Sequence, residues 1–280
     1  MSSVEITRSE PVPPAGYSLV RRLVEAGGRF NCGIYLFKAL CSDEHIICKQ
    51  TESGDSYTEA HIARQVRDFP HVVPIVDFIP ANKFQEKHSL YFRYCNQGTL
   101  ENLRLRHHNL PGSFPESFLW HVLLSIAKAL EACHTGLGRA DWVPIAHRDI
   151  HRGNILLSKS QDPTARYPEV FLADFGLAKY GGTQKELQGD IASLGFTVYD
   201  LSSVYDRHEE EVWNDLKERV ENGEWVYSDE LALVLGILMD YWWNGDDDIV
   251  RRPIEKLVPW IVEMWERADL RYDHGELMVE

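Results

Sequence analysis

The chain has 280 residues, 44% hydrophobic and 26% charged, enough for one large domain or two lobes with an ample core. Its net charge of −14 argues against a nucleic-acid backbone or an anionic membrane as the main partner. The five cysteines (Cys32, Cys41, Cys48, Cys95, Cys133) form no CxxC pair, no apolar run has the length of a membrane span, and the start lacks a signal pattern, so no zinc site or disulfide framework is suggested and a cytoplasmic or nuclear protein with reduced thiols is expected.

Residues 1–16, with Pro11, Pro13 and Pro14, read as a flexible leader. Two strands follow, Tyr17 to Gly28 and Ile34 to Leu40, around a glycine-bearing turn from Ala26 to Gly33. Such a hairpin is commonly just a turn, but its glycines (Gly28 and Gly33 here) also let backbone amides approach phosphates. His45 to Gln50 is strand-like and places Lys49 after three apolar residues. Ile62, Val66 and Phe69 give an apolar stripe, which predicts a helix over Ser56 to Phe69 with Glu59 near its start. Apolar residues from Leu119 to Cys133 recur at helical spacing and predict a long helix over Phe114 to His134.

The organising stretch is Ile145 to Leu157. In it Asp149 precedes Asn154 by five residues, and Asp174 follows Asn154 by twenty, in Ala173-Asp174-Phe175-Gly176. Asp149 could accept a proton from an incoming hydroxyl, and Asn154 and Asp174 offer oxygens to Mg2+. Helices are expected at about Ile191–Tyr205, Glu209–Glu221, Ser228–Trp243 and Ile254–Ala268. Asp246-Asp247-Asp248 lacks the ligand spacing of a calcium loop and reads as a solvated acidic turn. Trp213, Trp225, Trp260 and Trp265 read as packing residues.

HRDxxxxN at His147 to Asn154, followed by Asp174-Phe175-Gly176, resembles the catalytic and metal-binding loops of the protein kinase superfamily. The resemblance covers about Tyr17 to Asp269. It implies a bilobal α+β fold, with a small antiparallel β lobe carrying one main helix (17–94), a larger, mostly helical lobe (95–270), Mg-ATP between them, and a tail at 271–280. It further implies transfer of the ATP γ-phosphoryl group to a hydroxyl, that of a protein serine or threonine foremost. Asp149 would be the base, Asn154 and Asp174 the metal ligands, and Lys49, paired with Glu59, the phosphate contact. Gly28 and Gly33 would lie at the phosphates. Phe92 would guard the adenine pocket, and backbone groups of Arg93, Tyr94 and Cys95 would bind adenine.

The chain also departs from the pattern. Asn31 stands where the third glycine of the loop is expected, and His151 replaces the lysine usual two positions after the aspartate, with Arg152 next as a substitute positive charge. Asp190 resembles the aspartate of the family's buried helix, yet lies only sixteen residues after Asp174. No APE motif occurs; Gly182-Thr183 resembles a remnant of the segment before it, and Arg252 lacks the partner that motif would supply. An active kinase, a nucleotide-binding pseudokinase or scaffold, a small-molecule kinase, and a chain with skipped coding sequence all remain open at this point. So does the oligomeric state.

Overall fold

A computed structural model describes residues 10–23, 31–52, 54–83, 86–107, 114–202, 209–243, 254–270 and 277. They form two compact units. The first runs up to Arg67 and resumes over Val73–Tyr94; the second takes Asp68–Val72 and the described residues from Cys95 on. Among the described residues no helix is long and apolar enough to cross a membrane.

The first unit is a five-stranded antiparallel sheet with one helix. Strands β1 (Tyr17–Leu23), β2 (Asn31–Ala39), β3 (His45–Thr51), β4 (Ile75–Ile79) and β5 (His88–Arg93) stand in the order β1-β2-β3-β5-β4. Alternation along β3 sends Ile46, Cys48 and Gln50 to a fully buried face and leaves Lys49 on the other. That buried face is closed by Tyr35, Phe37 and Tyr91. Helix α1 (Ser56–Val66) buries Glu59, Ala60, Ile62, Ala63 and Val66. It stops three residues short of the predicted Phe69, because Pro70 disfavours helical backbone at the residue before it.

The predicted leader is held down where it is described. Pro11 and Pro14 are buried, Tyr91 Oη donates to the Val12 carbonyl at 2.5 Å, and Leu40 N donates to the Gly16 carbonyl at 2.8 Å. Proline suits such a strap because it has little backbone freedom left to lose.

The second unit is built round α3 (Glu116–Thr135), which carries buried residues on all sides. Helix α2 (Leu100–His107) precedes it; α4 (Gln184–Ser202), α5 (Glu209–Glu221), α6 (Asp229–Trp243) and α7 (Ile254–Arg267) follow. Between α3 and α4 lie two small antiparallel pairs, β6 (Ile145–Ala146) with β9 (Lys179–Tyr180), and β7 (Ile155–Ser158) with β8 (Glu169–Leu172). Helix α3 packs against α4, α7 and β8. Gly195 lets α4 approach α6 closely: a Cβ there would lie 2.8 Å from Leu238 Cβ.

The stretch after α3 folds back tightly on the helix end. A Cβ on Gly136 would lie 2.3 Å from Trp142 Cγ, and Trp142 Nε1 donates to the Cys133 carbonyl at 2.9 Å. The Phe69 ring meets Trp142 at a tilt of 57° with centroids 5.2 Å apart, and the Arg139 guanidinium lies 4.2 Å from the Phe69 ring centroid. Trp225 stacks face to face with Tyr199 as a packing residue, whereas Trp265 is partly exposed.

The largest departure from the sequence expectation is α4, which begins at Gln184 and not near Ile191. Thr183 and Glu186 form a reciprocal cap. Glu186 N donates to Thr183 Oγ1 at 3.2 Å, and Thr183 N donates to Glu186 Oε2 at 2.8 Å. The Thr-Gln-Lys-Glu spacing carries that signal, so Gly182-Thr183 serves here as a helix start. The predicted helix end at Tyr205, the triple aspartate and Arg252 lie outside the described residues.

Candidate active site

In the first unit, Lys49 Nζ stands 2.8 Å from Glu59 Oε1, with the side chains 12% and 5% exposed. Strand register and helix start combine to make the pair. Lys49 lies opposite Leu90 in the centre of the sheet, and Glu59 lies in the first turn of α1. Gly33 sits at a bulge between β2 and β3 with φ +154°, where a Cβ would meet the Tyr35 ring at 2.8 Å. Close packing therefore explains this glycine without a ligand. Gly28 lies outside the described residues. The amides of Arg93 and Tyr94 donate to the carbonyls of Pro74 (3.0 Å) and His45 (3.2 Å). Phe92 is buried, as is the side chain of Cys95.

In the second unit, the loop from His147 to Asn154 hangs on one buried carboxylate. Asp190, 1% exposed, accepts from His147 N at 2.8 Å and from Arg148 N at 2.7 Å, and His134 Nε2 lies 3.1 Å from it. Two charge-assisted bonds of this kind hold Arg148 at φ +67°, a left-handed conformation that a bulky side chain adopts only under constraint. His147 is fully buried, and burial pushes its pKa down. Its Nδ1 accepts from Asp149 N at 3.3 Å, which leaves the proton on Nε2, donated to the Ala173 carbonyl at 3.0 Å. Its ring meets Phe175 edge-on at 4.9 Å.

The chemistry-bearing residues sit on this frame. Asn154 Nδ2 donates to both the backbone oxygen and Oδ2 of Asp149, each at 2.9 Å. His151 Nε2 lies 3.7 Å from Asp149 Oδ2. The His151 imidazole first, and the Asn154 amide after it, hold the Asp149 carboxyl below its usual range, so it is ionised at neutral pH. Ala173 N donates to the Asn154 carbonyl at 2.9 Å, which brings the start of the Asp174 loop to Asn154. Asp174 has φ +64° and accepts from Gly176 N at 3.2 Å.

Arg152 does not face Asp149. Its Nε donates to Glu101 Oε2 at 2.7 Å and its second arm to Asp200 Oδ2 at 2.5 Å, while Arg104 grips the same Glu101 at 2.8 Å. Two carboxylates thus already balance its charge, and it ties the loop to α2 and α4. The basic side chain beside Asp149 is His151. Nothing in the sequence marked Glu101 or Asp200 as partners, since they are 51 and 48 residues from Arg152.

A divalent cation fits the donor set. Asp174 and Asn154 offer hard oxygen ligands, and among the described residues no cluster of three or more His, Cys, Asp or Glu forms an all-protein cage. Few protein ligands and hard oxygens suit Mg2+, which keeps water and phosphate oxygens in its shell.

Residues 29–205, more than half of the chain, match the family described as protein kinase domain. The chain belongs to this family. A probable serine/threonine-protein kinase nek2 from Dictyostelium discoideum is 25% identical over 178 residues, covering 54% of this chain and 40% of that protein. U-box domain-containing proteins 34 and 51 of Arabidopsis thaliana are 30% and 29% identical over 141 and 143 residues. Those matches cover 50% and 48% of this kinase-family chain but only 14% and 16% of the relatives, so the chain spans well under two thirds of each. Kinase membership accounts for the α+β architecture, with its antiparallel sheet in one unit and mainly helical second unit.

Proposed function

We propose that the protein is an ATP- and Mg2+-dependent phosphotransferase that moves the γ-phosphoryl group to a hydroxyl, with serine or threonine of a protein as the acceptor. The observation that carries this reading is the bond from Asn154 Nδ2 to Asp149 Oδ2 at 2.9 Å. It holds an ionised carboxylate ready to accept the acceptor's proton. The oxygen of the same amide and the Asp174 carboxylate would hold Mg2+, which neutralises phosphate charge when bound. Lys49, fixed by Glu59, would contact the α- and β-phosphates, and the Arg93 carbonyl and Cys95 backbone would meet adenine. The chain's own contribution is positioning: Asp190, His147 and Arg152 fix the loop so that Asp149 needs no rearrangement to act. The Dictyostelium relative's name supports a serine/threonine acceptor.

A second reading has its own support. Helix α4 starts ten residues after Asp174, so little chain is left to form a ledge for an extended peptide. That favours a small-molecule acceptor or a binding role. Thermal-shift titration with ATP, with and without Mg2+, followed by phosphotransfer assays of parent, Asp149→Ala and Asp174→Ala on protein and small-molecule hydroxyls, separates the readings. A Mg2+-dependent shift with transfer lost in both variants is expected. A folded parent that shows neither shift nor transfer would establish the binding role instead.

A further inference from the structure

Helix α6 buries one side and presents apolar residues to solvent on the other. Leu231, Val234, Leu235, Leu238 and Met239 are fully buried, and the helix packs on α4, α5 and α7. On the opposite side Leu233 is 50% exposed and Ile237 38%, and Val226, in the turn before the helix, is 44% exposed. Leu233 and Ile237 are one turn apart, so their side chains are neighbours on a single face. Exposed apolar residues taken singly are ordinary, and this pair would carry little alone.

Gly236 makes the face unusual. It lies in the same stripe, at the middle of α6, where glycine weakens a helix relative to alanine. Gly195 has a packing reason for that weakness, since a Cβ there would lie 2.8 Å from Leu238 Cβ. A Cβ on Gly236 would meet nothing within 4 Å, so no packing inside the chain requires its missing side chain. Bare backbone between two projecting apolar side chains is a shallow seat that a second helix can approach closely.

Charge selects the occupant. From Glu221 to Asp240 the chain carries the carboxylates Glu221, Glu224, Asp229, Glu230 and Asp240, and no lysine, arginine or histidine. Asp229 stands one turn before Leu233 and Asp240 one turn after Gly236, so both ends of the stripe carry a carboxylate, and Glu230 falls on its flank. A second copy of this acidic chain would bring like charges together across such a face, whereas a basic partner is complementary to it.

We infer that the face of α6 formed by Leu233, Gly236 and Ile237 is a docking surface for a basic amphipathic helix of a partner protein. Apolar residues of that helix would sit astride Gly236, with lysines or arginines against the flanking carboxylates. The inference is independent of whether the chain transfers phosphate.

The test uses the full chain and a fluorescently labelled helical peptide with leucines along one face and lysines around them. A scrambled peptide and a glutamate-for-lysine peptide are the controls. Anisotropy titration should show binding of the lysine peptide that weakens as salt is raised, with neither control binding comparably. Gly236→Leu should weaken binding by about tenfold or more, because it fills the centre of the seat. Its thermal midpoint should equal or exceed the parent's, since leucine suits a helix better and the Cβ has room. Leu233→Ser combined with Ile237→Ser should weaken binding similarly. Failure of the parent to bind the lysine peptide, equal binding of the scrambled one, or parent-like binding by Gly236→Leu would overturn the inference. So would a lowered midpoint in Gly236→Leu, which would return the glycine to internal packing. Sedimentation of the parent alone should show one species at every concentration. Self-association that Gly236→Leu abolishes would give the face to a second copy and overturn the inference as well.

Discussion

Lys49 and Glu59, ten residues apart, form a 2.8 Å ion pair that is largely removed from water. Neither charge can be left alone there cheaply. Glu59→Ala strands the lysine, and loss of one partner of such a pair costs about 3 kcal/mol. We expect a lower melting temperature for Glu59→Ala and a weaker stabilisation by Mg-ATP than in the parent. Calorimetry with and without nucleotide measures both, and a parent-like response to nucleotide would remove Lys49 from the phosphate contact.

The depressed pKa of Asp149 sets the sign of a pH effect. Because the folded value lies below the unfolded one, the stability this group contributes is present above the unfolded pKa and is lost as pH falls through the folded pKa. The base should likewise stay ionised through the neutral range, with activity falling only on the acid side. Replacing His151, the largest cause of the depression, raises the Asp149 pKa. The acid limb of kcat/KM against pH should therefore move to higher pH in His151→Ala. An unmoved limb would show that the limb does not report Asp149.

Arg152 distinguishes a structural tie from a phosphoryl contact. Lysine retains the charge but cannot bridge Glu101 and Asp200 with one planar fork. Arg152→Lys and Arg152→Ala should therefore lose stability alike, by about 1–3 kcal/mol, judged by urea unfolding. Full rescue by lysine would return Arg152 to the charge-supplying role.

The N-terminal strap makes a prediction about stability alone. Removing residues 1–16 uncovers the face that Pro11 and Pro14 bury, and takes away the Val12 carbonyl that Tyr91 uses. A loss of about 2 kcal/mol is expected from the exposed apolar area. Tyr91→Phe alone should cost about 1 kcal/mol, the net worth of one hydrogen bond. An unchanged thermal midpoint in the truncated chain would show that the strap is only laid on the sheet.

Family and general architecture were legible in the sequence for a physical reason. The HRDxxxxN and DFG patterns are local strings whose chemistry requires fixed residue types at fixed spacing, and the alternation in β3 and the apolar stripe of α1 are equally local. The start of α4 is also written locally, in the reciprocal cap of Thr183 and Glu186, ahead of the family-like Asp190. Proline in the first sixteen residues looked like a sign of looseness, although a proline-rich segment loses little entropy when a surface is available to cover.

Sequence by itself determined which chemical groups are present: carboxylates at Asp149 and Asp174, an amide at Asn154, a lysine at Lys49, and histidine at position 151. Only the tertiary structure decided what each group faces. Arg152 turned to Glu101 and Asp200, Arg148 to Glu186, and the amides of Arg93 and Tyr94 into their own sheet. These partners come from distant elements brought together by packing round α3 and by strand register. A charge in a low-dielectric setting takes the nearest counter-charge or hydrogen-bond partner, and that choice is a property of three-dimensional neighbours, which sequence separation does not encode.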